Sequence, residues 1–123
     1  MKLTEAEWQL MKALWESYPA TARQISGRLP AGVSWAYTTI KTMLGRLAEK
    51  GAVTERKEGN VSVYEPVLTQ HKARRGALRA LVNQAFDGTL GPLVHFLVEE
   101  ENLSDKQRAE LIELLQRKDD GQG

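Results

Sequence analysis

The run Trp35-Ala36-Tyr37-Thr38-Thr39-Ile40-Lys41-Thr42-Met43-Leu44-Gly45-Arg46-Leu47-Ala48-Glu49-Lys50, closed by Gly51, decides how the rest of the chain is read. At about 100° per residue, Ala36, Ile40, Met43, Leu44 and Leu47 gather in one arc, the mark of an amphipathic helix with one buried face. Ser34 is placed to cap its start, and Gly51 stands where a left-handed residue ends a helix. The opposite arc holds Thr38, Lys41, Thr42 and Gly45. A helix face that only meets water more often carries Glu and Lys four residues apart. This one is short, hydrogen-bonding, singly charged and unobstructed, as a surface made for close approach should be.

Upstream, Thr4 with Glu7 forms a capping box, and Leu3 with Trp8 has the spacing of a hydrophobic staple. The helix they open carries Trp8, Leu10, Met11, Leu14 and Trp15, and Pro19 marks its exit. Thr21 with Gln24 repeats the box and predicts a short helix through Ile25 to Leu29, closed by Pro30 and Gly32. Downstream, Val53-Thr54-Glu55-Arg56-Lys57 and Val61-Ser62-Val63-Tyr64 are β-rich runs around Glu58-Gly59-Asn60, a hairpin signature, with Pro66 ending the second strand. Three helices and then a hairpin give the order of elements in a winged helix-turn-helix. The fold class expected is mainly α with a small β-hairpin wing.

From Thr69 a longer helix carries Ala73, Ala77, Leu78, Leu81, Val82, Ala85 and Phe86 on its apolar side and stops before Gly88. Gly91-Pro92 starts a short helix through Leu93, Val94, Phe96, Leu97 and Val98; Ser104 with Gln107 caps a last one bearing Leu111, Ile112, Leu114 and Leu115. Three such helices are marginal alone, and two-fold homodimers dominate soluble oligomers. The expectation is a dimerisation arm with contacts at Leu78, Leu81, Val82, Leu93, Leu97, Leu111 and Leu115; the alternative folds these helices back on the first domain. The domains expected are a winged helix-turn-helix over 1–68, a helical dimerisation region over 69–118 and a disordered tail over 119–123.

The 123 residues are 41% hydrophobic and 27% charged, which suits one modest core and excludes a multidomain enzyme. There is no cysteine, so disulfides, iron–sulfur clusters and thiolate zinc sites are excluded. Apolar stretches are only a few residues long, and Met1-Lys2-Leu3-Thr4 leads into a helical pattern without a signal-peptide core, so a cytoplasmic protein with no membrane insertion is expected. The net charge of +1 conceals an asymmetry. Between Thr21 and Val61 stand Arg23, Arg28, Lys41, Arg46, Lys50, Arg56 and Lys57 against Glu49, Glu55 and Glu58, a local balance of +4. A basic centre flanked by compensating acid is a phosphate-facing pattern.

The chemistry these residues suit best is DNA reading. A major groove admits one helix whose short side chains reach base edges while cations at the margins meet phosphates. Thr38, Thr39, Lys41 and Thr42 are the base-edge candidates, and Gly45 lets the helix sit deep. Arg46, Lys57, Asn60, Arg23 and Gln24 suit phosphates or the minor groove. Winged helices also serve as protein-interaction modules without DNA affinity, which is the alternative. His95 with Glu99 has metal-pair spacing but no convincing third ligand, and His71 lies in a basic helix start, so no metal and no cofactor are expected. Trp8 and Trp15 read as core; Trp35 either packs or touches a DNA backbone. With no phosphate-binding glycine loop and no acid–base carboxylate couple, an enzyme is not expected.

Ala6-Glu7-Trp8-Gln9-Leu10-Met11-Lys12-Ala13-Leu14-Trp15 and the run from Trp35 to Leu47, with Lys50-Gly51, resemble the penicillinase and methicillin-resistance repressor (BlaI/MecI) family. The likeness continues through Lys57-Glu58-Gly59-Asn60, Val63-Tyr64, Phe86-Asp87-Gly88-Thr89-Leu90, Leu93-Val94 and Leu103-Ser104, and so covers nearly the whole chain. It implies a transcriptional repressor binding palindromic operator DNA as a homodimer, with intertwined C-terminal helices and the family's reading helix falling on Thr38, Thr39, Lys41 and Thr42. Copper-sensing members use C-terminal cysteines, which this chain lacks. In the antibiotic-resistance members a regulatory protease in the membrane cuts an Asn–Phe bond; alignment puts that bond at Phe96-Leu97, where the Asn is missing, which counts against the same cut.

Overall fold

The structure, a computed structural model, describes residues 1–100 and 103–121, the last seven by backbone alone. Its elements run α1 (Glu5–Glu16), β1 (Ala20–Thr21), α2 (Ala22–Gly27), α3 (Tyr37–Lys50), β2 (Val53–Glu58), β3 (Val61–Pro66), α4 (Gln70–Ala85), α5 (Leu90–Glu100) and α6 (Asp105–Gly121). Two compact units divide the chain, Met1–Leu78 and Arg79–Gly123. The division falls inside α4, ten residues later than the boundary expected at 68, because Ala73 is buried in the core of the first unit.

Both N-terminal capping boxes form. Thr4 Oγ1 accepts from the Glu7 N–H at 3.1 Å while Glu7 Oε1 accepts from the Thr4 N–H at 2.8 Å. Thr21 and Gln24 repeat the exchange at 3.1 and 2.9 Å. Each box satisfies donors that a helix start leaves open. The predicted cap of the third helix does not form: Ser34 lies outside it, α3 begins at Tyr37, and its N-cap Ala36 offers no side-chain acceptor. Ala36, expected on the apolar arc, is therefore exposed ahead of the helix. At the other end Gly51 takes φ +84, and its N–H donates to the Ala48 and Leu47 carbonyls, the left-handed finish expected there.

The sheet has the order β1-β3-β2, all antiparallel. Its third strand, Ala20–Thr21, escaped the sequence reading because two residues carry no periodicity; it pairs as Ala20↔Tyr64 and Thr21↔Val63. The hairpin is tighter than predicted. Glu58 pairs with Val61, which leaves Gly59-Asn60 as the turn; Gly59 alone of the two has positive φ, at +64, the II′ pattern that matches strand twist. Pro66 is the last paired residue of β3, the strand end expected there.

Leu10, Met11, Leu14, Ile25, Ile40, Leu44, Leu47 and Tyr64 are the largest fully buried side chains and fuse α1, α2, α3 and the sheet into one core. Each such burial stabilises by about 1.5–3 kcal/mol relative to exposure. Trp8, Trp15 and Trp35 pack partly buried against it, so Trp35 packs instead of projecting. Polar ties fix the frame. Arg28 Nη1 donates to the Ala13 and Ser17 carbonyls at 2.9 and 2.7 Å, closing the end of α1. Trp15 Nε1 donates to the Leu68 carbonyl at 2.9 Å.

In the second unit, the chain leaves α4 through Asp87 and Gly88, with φ of 52 and 80, and the Gly88 N–H reaches the Val82 carbonyl at 3.0 Å. Phe86 and Phe96 meet edge to face at 6.2 Å, and Ser104 and Gln107 form the expected capping box at 3.1 Å in both directions. The backbone of α6 is helical through Gly121, beyond residue 118 where the sequence reading ended it.

Candidate nucleic-acid interface

Helix α3 owes its position to Ile40, Leu44 and Leu47, all fully buried. Their burial turns the other side of the helix outward by geometry alone, and Thr38, Thr39, Lys41, Thr42 and Arg46 are all exposed. The Thr42 hydroxyl donates to the Thr38 carbonyl at 2.9 Å, which leaves its lone pairs and methyl for an outside partner. Gly45 is half-buried, and a Cβ built on it would meet nothing within 4 Å. The protein's own packing therefore does not require glycine there.

The structure sorts the basic residues that the sequence presents as one group. Arg28 is held by α1 carbonyls. Lys50 pairs with Glu7 at 2.6 Å. Arg56 pairs with Glu58 at 2.8 Å and Glu65 at 3.4 Å, both exposed contacts, and these carboxylates hold its guanidinium above the ordinary range. Arg23, Lys41, Arg46 and Lys57 make no ion pair among the described residues. Of the seven basic residues between Thr21 and Val61, the four without an ion pair or a carbonyl partner among the described residues thus lie on α2, α3 and the hairpin.

Glu7 shows why the Lys50 pair belongs to the fold. Burial pushes its carboxyl up, but the hydrogen bonds from Lys50 and from the Thr4 N–H, with the Lys50 charge, outweigh that and hold it below the usual glutamate value.

Arg23 and Gln24 begin α2, and the Gln24 Oε1 is committed to the Thr21 N–H, leaving only its amide donors outward. Lys57 and Asn60 lie exposed on the hairpin, Asn60 in its turn. Arg23, Lys41 and Asn60 are brought together around one cleft of about 260 Å³, whose walls also include Tyr37 and Tyr64. Burial first, and then the charge of Glu55, push the Tyr64 phenol up. Tyr37 is the residue that sequence reasoning missed here. Its exposed ring lies 5.2 Å from the Arg23 guanidinium carbon and 5.9 Å from Lys41 Nζ, and the signal available was an aromatic at the first turn of an otherwise polar stripe.

The residues expected at a dimer contact lie elsewhere. Leu78, Leu81, Leu97 and Leu111 are exposed and Leu93 is partly so, whereas Val82 is buried within the single chain. The Leu115 side chain lies outside the described residues. Among the described residues no group of three metal-binding side chains comes together, and no helix is long and apolar enough to cross a membrane. His95 pairs with Glu99 at 3.3 Å on the surface of α5.

A helix-turn-helix with a bare third-helix face, a flanking hairpin and unneutralised cations around both is the architecture of a winged-helix regulator of the DNA-binding class. The chain matches the family described as Penicillinase repressor over residues 3–117 and belongs to it; this is a family of transcriptional repressors and not of enzymes. It is 30% identical over 115 residues to the penicillinase repressor of Bacillus licheniformis, covering 94% of this chain and 90% of that protein. The methicillin resistance regulatory protein MecI of Staphylococcus aureus (strain N315) is 26% identical over 117 residues, 95% of each chain. Among solved structures, the DNA binding domain of the repressor BlaI is similar with a TM-score of 0.51 and 34% identity, covering 58% of this chain and 87% of that one.

Proposed function

We propose that this protein represses transcription in the cytoplasm as a homodimer that occupies a palindromic operator. The observation that carries the reading is the α3 stripe of Thr38, Thr39, Lys41 and Thr42, exposed beside the hairpin while Ile40, Leu44 and Leu47 anchor the other side. In this reading the stripe enters a major groove, with thread-like contacts from Arg46, Lys57, Asn60, Arg23 and Gln24 to the backbone or the adjacent minor groove. The second unit supplies the dimer. Its helices expose Leu81, Leu97 and Leu111 in the single chain, and an isologous pairing covers such faces and sets two reading helices against two half-sites.

Release by a regulatory protease acting near Phe96-Leu97 is not part of this reading. A protease takes an extended chain, this bond lies inside α5, and phenylalanine replaces the asparagine of the family's cut site.

The test is to retain genomic fragments on the full-length protein, sequence them, and measure binding to a recovered site and to random duplex. Thr42→Ala is expected to cost about 1–3 kcal/mol on the recovered site and less on random DNA. Lys57→Ala is expected to weaken both equally and to lower the salt slope by about one. Failure to retain any fragment at low salt, with a partner protein co-purifying instead, overturns the reading.

A further inference from the structure

The cleft between the start of α2, the first turn of α3 and strand β3 has a wall composition that sequence spacing does not explain. It is lined by Arg23, Tyr37, Lys41 and Asn60 among others, and none of its lining residues is acidic. Two cations from different helices converge on one tyrosine ring, at 5.2 and 5.9 Å from its centroid, and neither meets a carboxylate among the described residues. Long basic side chains on a surface ordinarily spread apart, since like charges repel and freezing each chain costs rotamer entropy. A π face that attracts both offsets part of that cost and holds them where an anion meets both.

We propose that this cleft seats one phosphate of the DNA backbone, with Tyr37 as the positioning residue that holds Arg23 and Lys41 for it. This rests on the repressor reading and refines it. Lys41 moves from the base-edge set to the backbone set, and the threonines are left to read sequence. The occupant is a phosphodiester instead of a free anion because the cleft is walled by Tyr37 and Lys41 of the reading helix and by Asn60 of the hairpin turn, the two elements that face the duplex in the repressor reading. Asn60 and Tyr37, which both line the cleft, carry neutral donors as well.

The experiment uses the full-length protein and a short random-sequence duplex, so that no operator is needed. Wild type, Tyr37→Phe, Tyr37→Leu, Arg23→Ala and the double variant Tyr37→Leu/Arg23→Ala are titrated across a range of salt, and their melting temperatures are compared. Tyr37 is exposed, so the substitutions should leave the fold intact. Tyr37→Leu is expected to weaken Kd about threefold to tenfold and Tyr37→Phe to keep most of the affinity, because phenylalanine retains the π face. Arg23→Ala is expected to lower the salt slope by about one. Adding Tyr37→Leu to Arg23→Ala is expected to cost less than Tyr37→Leu alone, because one of the two cations it positions is already gone.

Wild-type affinity and slope in Tyr37→Leu, or full additivity in the double variant, overturns the seat while leaving DNA binding intact. No binding by wild type at low salt overturns the repressor reading itself. Inorganic phosphate is the control for a free-anion pocket. At matched ionic strength it is expected to compete no better than chloride; competition that disappears in Tyr37→Leu overturns the assignment to the DNA backbone.

Discussion

In the first compact unit Leu10, Leu14, Ile25, Ile40, Leu44 and Leu47 have no solvent exposure, whereas in the second Leu90 is 59% exposed, Val98 57% and Leu114 55%. The two units draw on the same residue types and the same capping devices. They differ in what closes over the helices. In the first, three helices and a sheet come from one chain and enclose a common centre; in the second, α5 has no buried residue among those described. The first unit completes its core alone, and the second has apolar faces that one copy leaves uncovered.

The strongest way to break this contrast is to charge the uncovered faces. If the proposed homodimer is joined through these faces, Leu97→Glu with Leu111→Glu is expected to leave a monomer in sedimentation. Operator affinity should fall about a hundredfold or more, since each half-site loses the effective concentration supplied by its twin. The thermal transition of the winged unit should survive, and an unchanged dimer would show that other surfaces join the chains.

A core change sharpens the same comparison from the other side. Leu44→Ala is expected to cost the winged unit about 2–5 kcal/mol in denaturant unfolding, since it opens a cavity in a closed core. An equally mild response there and at exposed Val94→Ala in the diluted protein would erase the distinction between the units.

Acid should expose the ion pair that belongs to the first unit. Glu7 is held below its ordinary value, so its contribution is complete above that value and is lost as pH falls through the folded one. Glu7→Gln is therefore expected to cost about 1 kcal/mol near neutrality, a gap that closes as pH falls below the ordinary glutamate range. A gap that persists in acid would assign the loss to the cap hydrogen bonds instead of the charge.

The smallest expected effect separates stability from function within one helix. Gly45→Ala is expected to raise stability by about 0.5–1 kcal/mol, because α3 gains helix propensity and the added methyl meets nothing in the protein. DNA affinity should fall at the same time if the helix sits deep in its groove. A variant that gains stability and keeps its affinity would show that the α3 backbone stands off from the bases.

Most of the frame was legible before any coordinates because it rests on short-range rules. Thr4 with Glu7, Thr21 with Gln24, Ser104 with Gln107, and Gly51 each act within a few residues, and local hydrogen bonds settle them. Ser34 failed as a cap for a reason equally local: Pro30 to Val33 close a hydrogen-bonded turn, Trp35 is half-buried and Ala36 is extended, so the helix starts two residues past Trp35. The exposed stripe of α3 followed from periodicity. The cleft did not, because Arg23, Tyr37 and Asn60 lie on three elements with no spacing to connect them.

By itself the sequence determined the order of helices and hairpin apart from the two-residue strand β1, which face of α3 is apolar, and which family the chain belongs to, since caps, periodicity and ordered motifs are properties of neighbours along the chain. Only the tertiary structure decided which cations stay unneutralised. Seven basic residues look alike in the sequence; Arg28 is taken up by carbonyls of α1 and its exit, Lys50 by Glu7 of α1, and Arg56 by Glu58 on its own strand and Glu65 on the next. Electrostatic pairing depends on distance in space, and the folded core of the first unit is what sets those distances.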